Sequence, residues 1–455
     1  MKIPSAREVA LDILIQYEER QSYSNLLLNQ VLIKSGLDVR DKRLVTELVY
    51  GTIQRLNTID WILNRLVKKG TRSLEPWVRQ LLRLGIYQLA YLDKIPPRAA
   101  VHETVQLGKK RGHQGISGLV NGVMRSYLRQ REKLTPSAPP KNMKEKALFY
   151  SHPEWMVRRM EEVYGEEESQ KLFTSNLLPP KVNIRVNSLR LTREQLIEKW
   201  RNEQAGEAGL SPVSPDGIRI ERGGNPAFSS LFRDGECSIQ DESSMLVAPA
   251  LDPKPGMKVL DVCAAPGGKT MHLAERMKNQ GSILACDIHE HKLELISSNA
   301  NRLGITIVTP KLADGRELGK QIAPETFDAI LLDAPCSGLG VIRRKPDLKW
   351  SKEAEMIEPL VQLQRELLEA AAPLLKPGGA LVYSTCTIEP RENREQVEAF
   401  LSRHPEFSAD ENWQENLLPL VRERAIIEAG WLQILPHHFM SDGFFIARMI
   451  KQKSF

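Results

Sequence analysis

Two cysteines that follow strand-like runs hold the chemical potential of this sequence. In Phe327-Asp-Ala-Ile-Leu-Leu-Asp333-Ala-Pro-Cys336-Ser-Gly338, residues Ala329 to Asp333 read as a buried strand ending on a carboxylate. Pro335 has no N–H to continue a ladder, so the strand stops and Cys336 stands just past the break. Further on, a strand over Ala380–Ser384 runs straight into Thr385-Cys386-Thr387. Ligands of open α/β sheets bind beyond the carboxyl ends of the strands. An acid and two thiols are therefore expected at one cleft mouth, provided the two strands are parallel neighbours. A thiol so placed can act as a nucleophile. The segment by itself also fits a turn that happens to contain cysteine, and the residues alone do not say which thiol would attack.

The elements around them point to a nucleoside site. Val259-Leu-Asp261-Val-Cys263-Ala264-Ala265-Pro266-Gly267-Gly268-Lys269-Thr270 reads as strand, small-residue loop and helix start. Ala264, Ala265, Gly267 and Gly268 allow close approach of backbone to a ligand. This is neither the Gly-x-Gly-x-x-Gly of nicotinamide enzymes nor a P-loop, because the position where a P-loop needs its first glycine is Cys263. A triphosphate is thereby excluded. Asp287 closes the next strand, Ile283–Cys286, about twenty residues after the glycines, where a carboxylate can accept from ribose hydroxyls. Asp314 follows a third strand over Ile305–Val308. Asp287, Asp314 and Asp333, each just after a strand and in register with a small-residue loop, make a nucleoside site.

The positioning framework follows from pattern. From residue 251 strands and helices alternate, which predicts a doubly wound sheet. Trp431–Leu435 and Phe444–Met449 read as a late return of two strands. The first 134 residues are all-helical, opening on the capping box Ser5-Ala-Arg-Glu8. Residues 135–144 form a Pro-rich linker and 145–235 a small α+β unit. Within that unit Glu154–Tyr164 and a helix from Gly165 precede the alternating strand Val182–Asn187. Residues 236–455 form the α/β domain.

Bulk properties agree. The chain has 455 residues, 41% hydrophobic and 26% charged, as in ordinary globular proteins. No run of some eighteen apolar residues spans a membrane, and the N-terminus lacks a signal-peptide core. The five cysteines form no Cys-x-x-Cys pair, which argues against a disulfide framework or zinc site and for a reducing cytoplasm. His437-His438 has no third ligand at suitable spacing, so no metal is expected. Residues 1–134 hold 23 Lys+Arg against 12 Asp+Glu, and the remainder 40 against 45. A basic front on a mildly acidic body suggests a polyanion-binding attachment to a catalytic domain. Lys109, Lys110 and Arg111, read as a loop, suit either phosphate contact or plain solvation. Arg185 on the polar face of its strand, and Arg343 and Arg344 in the basic, Trp-containing stretch 341–350, are further candidate RNA contacts.

Ala264–Thr270, Asp333-Ala-Pro-Cys-Ser-Gly338 and Ser384-Thr-Cys-Thr387, taken together, resemble the RNA cytosine-C5 methyltransferases of the NOL1/NOP2/Sun family, within the class I enzymes that use S-adenosylmethionine. The helical front and linker resemble the NusB-like RNA-binding domain of the bacterial branch that modifies small-subunit ribosomal RNA (the RsmB or Sun type). The resemblance implies a Rossmann-like methyltransferase domain behind an all-α NusB-like domain and a small α+β domain. It implies S-adenosylmethionine held by the Cys263–Lys269 loop with Asp287, Asp314 and Asp333. It also implies 16S ribosomal RNA as partner, a base flipped into the pocket, and a monomer with neither metal nor membrane. Cytosine C5 takes a methyl group only after a thiolate adds at C6. DNA enzymes would nominate Cys336 for that step; the RNA family implies Cys386 as nucleophile, Cys336 as helper in adduct breakdown and Asp333 on the base. A transfer-RNA target, or a binding factor without turnover, are the alternatives.

Overall fold

A computed structural model describes residues 4–20, 24–136 and 138–453. The chain divides into two compact units, Met1–Leu177 with Arg344–Glu353, and Leu178–Arg343 with Ala354–Phe455.

The first unit is helical. It holds α1 (Ala6–Arg20), α2 (Ser24–Lys34), α3 (Val39–Gln54), α4 (Leu56–Leu66), α5 (Pro76–Tyr91), α6 (Pro97–Arg111), α7 (Gln114–Gln130), α8 (Met143–Phe149) and α9 (Glu154–Asn176). The apolar stripes are buried as their spacing requires: Val9, Ile13 and Leu14 of α1 and Val45, Leu48 and Val49 of α3 pack around α5. The third helix is capped by Asp38, whose side chain accepts from Asp41 N–H. Helices α3 and α5 pack so closely at Gly51 that a Cβ there would lie 1.9 Å from the Tyr87 ring. Gly165 breaks α9 with φ +79°, which is the helix-to-helix junction read from sequence.

Residues 344–353 belong to this unit although the sequence places them far from it. The Trp350 indole donates to Ile53 O (2.6 Å), Lys349 Nζ to Ser151 O (2.6 Å), and the Ser24 hydroxyl to Asp347 (2.5 Å). Lys349 is 0% exposed, and burial, then the Arg55 charge, hold its pKa well below the ordinary lysine value. The reading of Lys349 and Trp350 as an RNA grip does not survive: both side chains are committed to protein carbonyls.

The second unit contains two sheets. Strands β1 (Val182–Val186), β2 (Glu207–Leu210), β3 (Gly217–Arg222) and β4 (Cys237–Ile239) form an antiparallel sheet in the order β2-β3-β1-β4. Strands β5 (Lys258–Asp261), β6 (Ser282–Asp287), β7 (Val308–Leu312), β8 (Phe327–Asp333), β9 (Leu375–Thr385), β10 (Phe407–Ala409), β11 (Ile426–Glu428), β12 (Trp431–Ile434) and β13 (Phe444–Lys451) form the other, ordered β11-β12-β13-β9-β8-β5-β6-β7 with β10 on β13. Pairing from β9 through β7 is parallel, whereas β13 runs antiparallel to β9. Strand order reverses between β5 and β8, the switch point beyond whose carboxyl ends open α/β sheets bind their ligands. Strand β7 begins three residues later than the apolar run Ile305–Val308 implies, because Gly304, in the left-handed conformation, ends the preceding helix and Ile305 N–H closes that end on Ala300 O. Pro310 is tolerated inside β7 because this is an edge strand. Among the described residues, no helix is long and apolar enough to cross a membrane.

Candidate active site: two thiols beside an acid–lysine pair

Strands β8 and β9 pair in parallel with Asp333 opposite Ser384. That register brings the ends of both strands, and the loops beyond, to one place. The Ser384 hydroxyl donates to Asp333 (2.9 Å), Ala334 N–H to Ser384 O (2.8 Å) and Gly340 N–H to Cys386 O (3.0 Å). Cys336 Sγ and Cys386 Sγ lie 3.5 Å apart, both half-buried. The structure thus joins the two thiols that sequence placed after separate strands.

From β5, the loop Val262–Gly267 leads into the helix Gly268–Arg276. Gly267 has φ +99°, a conformation suited to glycine, and points the helix start at the cleft. Lys269 Nζ donates to Asp333 Oδ2 at 2.7 Å and sits 5.0 Å over the Phe444 ring. Burial opposes its charge, but Asp333 outweighs burial, and with a smaller push from Cys386 the Lys269 pKa ends above its ordinary value. Lys269 therefore holds a fixed positive charge between the acid and the thiols.

The side of the site formed by the Val262–Gly267 loop and the ends of β5 and β6 is rich in carboxylates. Burial first, then the charges of Asp261, Asp333 and Asp287, push the Cys263 thiol well up. A thiol so raised is poorly suited to act as a nucleophile. Asp287, at the end of β6, accepts from His289 N–H (3.0 Å). Asp314 is engaged by Arg316, whose main-chain N–H (3.0 Å) and guanidinium (2.7 Å) both donate to it; that contact holds its carboxyl below the usual range. Asp261, which pattern reading left without a role, takes the Thr270 hydroxyl on Oδ2 (2.7 Å) while its buried Oδ1 has no hydrogen-bond partner among the described residues. Burial raises its pKa to about 7. An unsatisfied buried acceptor, a loop of alanines and glycines, and Gly268 with open space at its Cβ position fit a ligand with donor groups and a compact, positively charged centre.

The raised Asp261 pKa has a stability consequence. Between pH 4 and 7 the folded chain keeps a proton that the unfolded chain releases, so stability falls as pH rises through this window. The move from 3.8 to about 7 corresponds to about 4 kcal/mol at most. Asp261→Asn still offers Thr270 an acceptor and carries no such penalty. Its melting temperature relative to the parent is expected to rise by about 5 °C between pH 5 and pH 8. Thermal unfolding at both pH values checks this; a difference independent of pH contradicts it.

The candidate RNA contacts fare differently. Lys109, Lys110 and Arg111 are the last turn of α6, not a loop; Lys110 pairs with Glu8 (2.7 Å) and Arg111 with Asp12 (2.5 Å), while Lys109 is exposed. Arg185 is a correction. Its side chain is 0% exposed and grips Glu275, itself 1% exposed, through two hydrogen bonds of 2.9 and 2.8 Å, with a third to Gly268 O at 2.9 Å. It thereby braces the first residue of the helix Gly268–Arg276. Arg343 is 4% exposed and donates to Pro436 O (3.1 Å), so it too is unavailable to RNA; Arg344 is half-buried. Gln364, Glu392 and Asn393 brace the thiol loops and were not singled out in the sequence; Ser384 was quoted only as part of a motif, and its contact with Asp333 follows from the β8/β9 register.

Comparison with known proteins matches this arrangement. The family model for 16S rRNA methyltransferase RsmB/F matches residues 248–450, that for the NusB family residues 4–129, and that for the RsmF/B-like ferredoxin-like domain residues 152–226. A probable ribosomal RNA small subunit methyltransferase B of Bacillus subtilis (strain 168) is 46% identical, over 99% of this chain and 100% of its own. A methyltransferase homolog protein from Pyrococcus horikoshii shares 31% identity with a TM-score of 0.59, over 68% of this chain and 98% of its own. NSun6 from Pyrococcus horikoshii, solved with SFG, shares 25% identity with a TM-score of 0.58, over 66% and 99%. With a NusB domain in front, a ferredoxin-like domain between and the paired thiols on the methyltransferase sheet, the chain belongs to the RsmB/F family of 16S rRNA methyltransferases.

Proposed function

We propose that this protein methylates C5 of a cytosine in 16S ribosomal RNA, through a covalent bond from Cys386 to C6. The observation that carries this reading is the pair of thiols 3.5 Å apart beside the Asp333–Lys269 pair. One thiol is enough for a nucleophile; a second at contact distance suits a reaction whose adduct must also be broken.

S-adenosylmethionine, when bound by the Cys263–Lys269 loop with Asp287 and Asp314 nearby, supplies an electrophilic methyl group. The chain's own residues do the rest. Asp333 holds the amino edge of a flipped cytosine, and Lys269 keeps that carboxylate in place and offsets charge gathering on the ring. The Cys386 thiolate adds to C6, and the C5–C6 electron pair moves to C5, which takes the methyl group. Loss of the C5 proton to water then restores the double bond as the C6–S bond breaks and its electron pair returns to Cys386. Cys336, in contact with that sulfur, donates its S–H to the departing thiolate. The protein acts as a monomer in the cytoplasm, and its basic helical unit holds RNA through phosphates and shape.

Incubating the purified protein with 16S ribosomal RNA and S-adenosylmethionine, then digesting the RNA for nucleoside mass spectrometry, tests the assignment. One 5-methylcytidine per RNA is expected. Methyl groups on another base, or at cytosine N4, would contradict it.

A further inference from the structure

The spacing of the two thiols is set from beneath. Each is followed by a hydroxyl residue, Ser337 after Cys336 and Thr387 after Cys386, and these hydroxyls lie 2.7 Å apart. Below them is Glu392, in the turn Pro390–Glu392, fully buried. Its Oε2 accepts from Ser337 N–H (2.8 Å) and from Gln364 Nε2 (2.9 Å), and its Oε1 accepts from the Ser337 hydroxyl. Gln364 Nε2 also reaches Pro335 O at 2.9 Å, and the Tyr383 hydroxyl donates to the Glu392 main-chain carbonyl at 2.6 Å. Burial pushes the Glu392 carboxyl above its ordinary value, and the Ser337 and Gln364 donors oppose that push and favour the ionised form; as a carboxylate it only accepts. The Ser337 proton is therefore committed to Glu392, and Ser337 accepts from Thr387, so the chain runs one way: Thr387 to Ser337 to Glu392.

We propose that Glu392 is a positioning residue for the thiol pair: through Ser337 and Thr387 it fixes the two loops at donor–acceptor distance, and its buried negative charge keeps Cys336 a neutral S–H donor toward the Cys386 sulfur. The inference rests on the division of roles proposed above. It explains why an acid lies under the thiols, where it makes a poor site for two anions. The contact with Cys386, then burial, then the charges of Cys386 and Glu392 push the Cys336 thiol well above its ordinary value, as this role requires. The other groups facing the pair are Asp333, Lys269, Tyr383 and, next to Glu392, Glu389, which Arg391 pairs at 3.1 Å. All of them remain in the variants below.

The test uses the full chain. In a Cys386→Ser background, iodoacetamide alkylation of Cys336 is followed against pH by peptide mass. Glu392→Gln is expected to lower the alkylation midpoint by about one pH unit or more. With both thiols present, the same substitution is expected to shift the pH at which covalently bound RNA builds up downward by about one unit, because Cys336 loses its proton at a lower pH and release slows there. Ser337→Ala cuts the hydroxyl chain without removing the charge. It is expected to slow release with the midpoint unmoved, and it tests the clamp even if Glu392→Gln fails to fold. An unchanged midpoint in folded Glu392→Gln, or unimpaired release by Ser337→Ala, overturns the proposal. The alkylation arm involves no RNA. Adduct formation with an unmoved midpoint therefore removes Glu392 alone, whereas a moved midpoint with no adduct in any variant removes the covalent mechanism and the positioning role with it.

Discussion

Cys386→Ala is expected to lose methyl transfer by on the order of 10⁴-fold or more while binding 16S ribosomal RNA within a few-fold of the parent. The loss follows from what C5 lacks: without sulfur at C6 the ring carbon is too weak a nucleophile to take the methyl group, and no other group at the site replaces a thiolate. Cys336 is 3.5 Å away, but it sits on a loop tied to Glu392 through Ser337 and is held as a neutral thiol, so it does not take over. RNA affinity survives because it comes from phosphate contacts, which a half-buried thiol does not make. Filter binding and single-turnover transfer, measured side by side, check both halves. Transfer within tenfold of the parent would shift the nucleophile to Cys336.

Arg185→Met is expected to cost about 3–5 kcal/mol, or about 10 °C in melting temperature, with little change in the salt dependence of RNA binding. The substitution leaves Glu275 ionisable and buried with its partner gone, and it removes the donor to Gly268 O at the start of the helix Gly268–Arg276. Arg185→Met/Glu275→Leu, which removes both charges, is expected to recover most of the loss. If Arg185 contacted RNA, the opposite would hold: the melting temperature would stay put and the salt slope would fall by about one. Thermal unfolding of the three proteins and a salt titration of binding separate the two cases.

Arg185 also shows where reading from sequence reaches its limit. Val182-Asn-Ile-Arg-Val-Asn187 alternates with period two, and that pattern does form β1. Alternation says that two faces differ, not what covers the polar one. Here Asn183, Arg185 and Asn187 are all buried, with Asn187 donating to Gly235 O and Leu303 O and Arg185 to Glu275. The same blindness applies to residues 341–350, whose charge and tryptophan suggested a nucleic-acid surface. Lys349 and Trp350 instead donate to carbonyls some two and three hundred residues away in sequence. Strand ends were legible for the opposite reason. Asp287, Asp333 and the Cys263–Lys269 loop are local events, a buried run stopped by an acid, a proline or glycines, and the sheet rule alone brings them to one cleft. Glu392 lies between these extremes. It is near Cys386 in sequence, but its partner Ser337 comes from the other loop, and only the β8/β9 register brings the two together.

The covalent route through Cys386 is tested most directly with Cys336→Ala. Incubated with 16S ribosomal RNA and methyl-labelled S-adenosylmethionine and run on a denaturing gel, this variant is expected to give a labelled band shifted to the mass of protein plus RNA. Proteolysis of that band should leave the nucleotide on the peptide carrying Cys386. Labelled RNA that migrates free, or a nucleotide found on any other residue, would contradict the account.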